Sequence, residues 1–266
     1  MIKLLSATQN HRPIFVVMAV FTGAILSTLF VRMFSISLAD LRGVFGLDVA
    51  QGSWLNVALN IAQLISMTLV PWFMVVYGAE KILISASFIL FCCGLAVPII
   101  GQQIGFGGLF IAHFMIGFCI GVYLPMTISL ALKSLNPSVW LIVMAAYSLR
   151  VSVGMDAGVG ISGEFVDILN WRWIYWLSAI FTLVILFFTW WGMPLSPINK
   201  SLLAQSDWGG MALKCLGLTL LYIGVVQGEL LGWWDSGLVV SCLIGSAILM
   251  GTFIIRAYIY KQSFHV

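Results

Sequence analysis

Between its charged residues this chain runs through apolar segments longer than a bilayer is thick. Val49 to Ala79 carries no charge, nor do Ile82 to Leu132, Trp173 to Asn199 or Ser236 to Ile255. A hydrocarbon core about 30 Å thick is crossed by roughly 20 apolar residues in helical form. Within it each backbone N–H and C=O has to be satisfied inside its own segment, which selects helices. With 62% hydrophobic residues, 8% charged residues and a mean hydropathy of +1.10, a water-soluble globule is excluded. The expected fold class is an all-α polytopic membrane protein.

The runs divide into eight predicted spans: Pro13–Ile36, Ser53–Val76, Lys81–Ile100, Phe106–Leu132, Val139–Gly163, Trp173–Met193, Trp208–Gln227 and Gly237–Tyr260. The stretch from Ile82 to Leu132 is too long for one helix, and Pro98 with the Gly101, Gln102 and Gln103 cluster supplies its break. The first span exceeds the length of a signal-peptide core and lacks a cleavage site, so it reads as retained.

Charge placement orients the spans. With the N-terminus in the cytoplasm, Lys3, Arg12, Lys81, Lys133, Lys200, Arg256 and Lys261 lie inside and only Arg42 and Arg172 outside, as positive-inside bias expects. Eight spans then return the C-terminus to the cytoplasm. The formal net charge of +3 is this loop bias and calls for no nucleic-acid partner. Trp54, Trp72, Trp140, Trp171, Trp173, Trp208, Trp233 and Trp234 gather near span ends as an interfacial belt. Cys92, Cys93, Cys119, Cys215 and Cys242 all fall within spans, which predicts free thiols and no metal site.

Polar side chains at membrane depth should face a cavity or a partner. Ser53, Asn56, Asn60 and Gln63 recur at helical spacing on one face of the second span. They read either as a wall of a water-accessible pathway or as interhelical hydrogen bonds. Thr28, Arg32 and Ser35 share a face of the first span, where Arg32 either snorkels to the outer interface or serves binding and coupling. Arg150 and Asp156 stand six residues apart in the fifth span, about 120° around the helix, so they should not pair with each other. Asp156 is the candidate proton-titrating carboxylate, against a structural hydrogen bond or a surface position. His113 could relay protons or be packed and hydrogen-bonded. Gly154, Gly158 and Gly163 punctuate the fifth span, either as one close helix contact or as a gate that bends and reseals. Phosphate-binding loops, metal-ligand spacings and nucleophile elbows do not stand out, so no enzyme and no cofactor is expected.

At the fifth span the sequence resembles a known family. Gly154, Asp156, Gly158, Gly160, Ser162 and Gly163, followed eight positions later by Trp171, Arg172, Trp173 and Ile174, resemble the antiporter glycine motif of the major facilitator superfamily. The branch it is similar to is that of the fourteen-helix drug:proton antiporters. Asp207 to Gly210, Gln227 to Glu229, Gly232 to Ser236, Leu41 to Gly43 and Gly52 to Trp54 are similar to the same branch. Departures stand beside these matches. Val159 holds a position where the family usually has proline, Val75 one where it has an acid, and His113 one where it has arginine, which directs attention to Asp156, His113 and Arg32.

The resemblance implies that residues 1–194 form an N-terminal six-helix bundle and residues 195–266 two linking helices, with a C-terminal six-helix bundle absent from this chain. It implies a proton-coupled exporter of drugs or other small lipophilic or amphipathic molecules, acting by alternating access in a bacterial inner membrane. A periplasmic adaptor protein is the implied partner. The alternative is a truncated or split, non-transporting membrane subunit that assembles with or regulates another membrane protein.

Overall fold

The structure, a computed structural model, describes residues 12–193, 196–204 and 206–260. Lys3, Lys261 and the expected domain boundary at residues 194 and 195 lie outside the described residues, as do the side chains of Asp167 and Lys200. Among the described residues the chain is helical, with α1 Pro13–Ile36, α2 Leu38–Phe45, α3 Val49–Tyr77, α4 Ala79–Ile100 and α5 Gly105–Ser134 in its first half. There follow α6 Trp140–Gly163, α7 Trp173–Gly192, the short α8 Lys200–Ala204, α9 Trp208–Leu231 and α10 Gly237–Tyr260. Eight of these are long and apolar enough to cross a membrane.

Differences from the expected spans lie at helix ends, where local chemistry decides. The second span begins at Val49 rather than Ser53 because Asp48 and Gln51 form a capping box. The Asp48 carboxylate accepts from the Gln51 N–H at 2.7 Å, and the Gln51 side-chain carbonyl accepts from the Asp48 N–H at 3.2 Å. The break between the third and fourth spans falls at the expected Gly101 to Gln103 cluster, just after Pro98. Pro98 sits in the last turn of α4, and the chain turns after Ile100, entering α5 at Gly105 with φ +64°. Gly78, at φ +92°, separates α3 from α4. Two loops carry unexpected helix: α2 in the first connection, closed by left-handed Gly46, and a π-helical turn at Glu164–Leu169 after α6.

The core forms where α1 and α5 cross between α7 and α3. Val16, Val20, Phe30 and Phe34 of α1 bury against Ile116, Ile120 and Tyr123 of α5 and Tyr175 of α7. α9 and α10 pair as a hairpin that leans on α3. Contacts sort into two ends of the bundle. At one, Trp72 of α3 meets Trp208 of α9 edge to face at 4.9 Å, and the Asn199 N–H donates to the Val76 carbonyl. At the other, Phe45 meets Trp171 at 5.1 Å and Arg172 Nε donates to the Pro98 carbonyl at 3.0 Å. All five cysteines are free thiols.

Candidate substrate cavity

One face of α1 stays polar where it leaves the core. Ser27, Thr28, Val31, Arg32 and Ser35 follow the helical period and line a cavity of about 270 Å³, completed by Gln63 of α3, Leu124 of α5 and Met155 of α6. Its hydrogen bonds are directional. The Thr28 hydroxyl donates to the Ala24 carbonyl at 3.1 Å, which leaves its lone pairs to accept from Arg150 Nη1. Gln63 Nε2 donates to the Ser27 hydroxyl at 3.2 Å. The Arg150 guanidinium also lies over the Tyr147 ring, 4.2 Å from its centroid.

Close packing brings α6 to this face. A methyl group at Gly154 would come within 2.9 Å of Thr28 Cγ2, and one at Gly158 within 2.8 Å of Arg32 Cγ. Two small residues four apart thus seat the two-residue ridge Thr28 and Arg32. Gly163 faces open space and takes no part in this contact.

The energetics leave the arginines undersatisfied. Insertion scales put a central arginine at about 2.5–3.5 kcal/mol, whereas an interhelical hydrogen bond contributes about 0.6 kcal/mol on average. A ring contact adds roughly 0.5–2 kcal/mol. Arg32 Nε and Arg150 Nε are both buried without a hydrogen-bond partner, and neither arginine has an ion pair among the described residues.

The remaining candidates disperse. Ser53 Oγ donates to Gln227 Oε1 of α9 at 3.0 Å, and Asn60 Nδ2 donates within its own helix to Asn56 Oδ1 at 3.0 Å, so only Gln63 of that stripe reaches the cavity. Asp156 lies on the exposed side of α6, apart from Arg150. His113 is buried across α1 from the cavity. The Leu109 carbonyl, 2.7 Å away, can only accept, so Nδ1 carries the proton and Nε2 accepts from the Tyr175 hydroxyl at 2.9 Å. Phe34 packs on the same ring at 4.8 Å. The sequence reading picked out Thr28, Arg32 and Ser35 together but missed Ser27, Leu124 and Met155, whose only signal is their placement by neighbouring helices.

Eight helices long and apolar enough to cross a membrane, with an open cavity among four of them, define a multi-pass helical membrane protein. The chain belongs to the Major Facilitator Superfamily, whose family model matches residues 20–266; this is a class of transporters rather than enzymes. It is 21% identical over 83% of its length to the fatty acid resistance protein FarB of Neisseria gonorrhoeae, covering 43% of that relative. It is also 21% identical over 81% of its length to the multidrug export protein EmrB of Haemophilus influenzae, covering 42% of it. The chain therefore spans less than half the length of these curated relatives. Among solved structures, a D-xylose–proton symporter shares the fold at TM-score 0.57 and 13% identity, matching 92% of this chain and 68% of that one.

Proposed function

We propose that the chain is the N-terminal portion of a proton-coupled exporter of lipophilic or amphipathic small molecules, working by alternating access in a bacterial inner membrane with both termini cytoplasmic. The observation that carries this is the cavity between α1, α3, α5 and α6, in a chain similar to multidrug export proteins. Arg32 and Gln63 face the pathway and Arg150 supports it, Asn56 and Asn60 bond to each other within α3 outside the cavity lining, and Asp156 on the exposed side of α6 exchanges protons. Gly154 and Gly158 set the α1–α6 contact that has to shear as the cavity opens.

Residues 1–194 act as a six-helix bundle and residues 195–266 as linking helices, a division supported by the way α9 and α10 pair with each other while α9 leans on α3. A complementary six-helix half completes the transporter, and a periplasmic adaptor receives its substrate. The test is to co-express the chain with a C-terminal six-helix half from a related exporter and follow efflux of a fluorescent amphiphile. Efflux that collapses with the proton gradient and weakens in Asp156→Asn is expected. Retention of the amphiphile by the assembled pair would overturn the reading.

A further inference from the structure

We infer that the cavity is an anion site, in which Arg32 directly and Arg150 at the cavity wall receive the negatively charged headgroup of an amphipathic molecule whose tail lies against Val31, Leu124 and Met155. This deepens the transport reading by naming the charge class of the substrate, and rests on that reading only for the word substrate.

The charge balance comes first. The lining contains one arginine and no acid, and a second guanidinium touches it at Thr28. Neither guanidinium has a carboxylate counterpart among the described residues. A cationic or strongly basic ligand would meet two like charges here, which discriminates against it.

Donor geometry comes second. Both Nε–H groups are buried without a partner, and a guanidinium turned so that its Nε–H and neighbouring Nη–H meet the cavity presents the planar fork that holds a carboxylate or phosphate bidentately. Thr28 orients Arg150 without neutralising it, because the hydroxyl proton is already committed to the Ala24 carbonyl. Gly158 packs closely along the Cβ and Cγ stem of Arg32, and the Tyr147 ring covers one face of the Arg150 guanidinium.

Depth comes third. Arg150 follows Trp140 by ten residues, a rise of about 15 Å, which puts it near mid-span. Arg32 is four residues from the end of α1, close enough to snorkel outward, yet it lines the cavity and its Nε is buried. Cations kept at such positions mark substrate or ion pathways.

The test uses the full 266-residue chain in phosphatidylcholine nanodiscs, with radiolabelled octanoate as probe and empty discs as background. Octyltrimethylammonium and octanol serve as the matched cation and neutral alcohol. Octanoate is expected to bind at least about tenfold more tightly than the cation, and Arg32→Gln and Arg150→Gln each to weaken octanoate about tenfold while leaving octanol unchanged. Arg32→Lys retains the charge and should recover part of the loss.

Equal binding of octanoate and the cation by the wild-type chain overturns the inference whether or not any variant folds. So does an Arg32→Gln chain that binds octanoate as wild type does. Adding phosphatidylglycerol separates two sources of the same chemistry: competition identifies a membrane lipid as occupant, and its absence identifies a free amphiphile. A chain that prefers the cation yet exports with its second half loses this inference and keeps the transport reading. One that binds octanoate and exports nothing does the reverse.

Discussion

His113 buries its whole ring inside the bundle and half-buried Arg150 buries its Nε, and they meet the cost differently. His113 has both ring nitrogens engaged and packs against the rings of Phe34 and Tyr175, so it is a closed structural unit. Arg150 keeps an unused donor beside a cavity. Tyr175→Phe should leave His113 Nε2 unpaired and cost about 1–3 kcal/mol in unfolding by denaturing detergent, with octanoate binding unchanged. An equal loss of binding would connect His113 to the cavity. From sequence alone both residues are pathway candidates, although a packed His113 is the favoured reading, since each is a polar group in an apolar run. What separates them is the partner, and Tyr175 stands 62 positions from His113 while Thr28 stands 122 from Arg150. No local pattern records such pairings.

At the scale of helices, glycines of α5 and α6 have unequal work. A methyl group at Gly117 would land on the Leu59 backbone carbonyl of α3, which cannot swing aside. Gly117→Ala should therefore cost several kcal/mol, at or above the roughly 1–3 kcal/mol usual for overpacking. At Gly158 the obstacle is the flexible stem of Arg32. Gly158→Ala should cost less stability but displace that side chain and weaken octanoate binding, while Gly163→Ala should change neither. Equal effects at Gly158 and Gly163 in paired unfolding and binding assays would refute this ranking. The α3 stripe shows why spacing reads faces and not neighbours. Ser53 to Gln63 is ten residues, about 80° short of whole turns, and along that length α3 passes from α9 to α1. The long spans were legible because charges and glycines bound them. α2 was not, since its eight residues lack the length for an apolar period to show.

Over the whole molecule, the α9–α10 hairpin is clasped by the ion pair of Arg256 and Asp207 at 2.8 Å. Hydrogen bonds from Arg256, and then from the Gly210 N–H, hold the Asp207 carboxyl below its ordinary value of 3.8. A carboxyl depressed in the folded state contributes stability above its unfolded value and loses it as pH falls through the folded one. The stability gap between wild type and Asp207→Asn should thus be constant from about pH 7 to pH 5, shrink as pH falls below the ordinary value of 3.8, and vanish only below the lower folded value. A gap that persisted in acid would show that packing, not charge, closes the hairpin. Fold class and the number of crossings followed from the charge-free runs; which helices meet did not, because every membrane helix is apolar on most sides. The hairpin is fastened to α3 at both of its ends, by Trp208 on Trp72 and by Gln227 on Ser53. It therefore works as an external handle: an antibody fragment gripping the exposed turn at Trp233–Asp235 would hold α3 still, and with it the Gln63 side of the cavity.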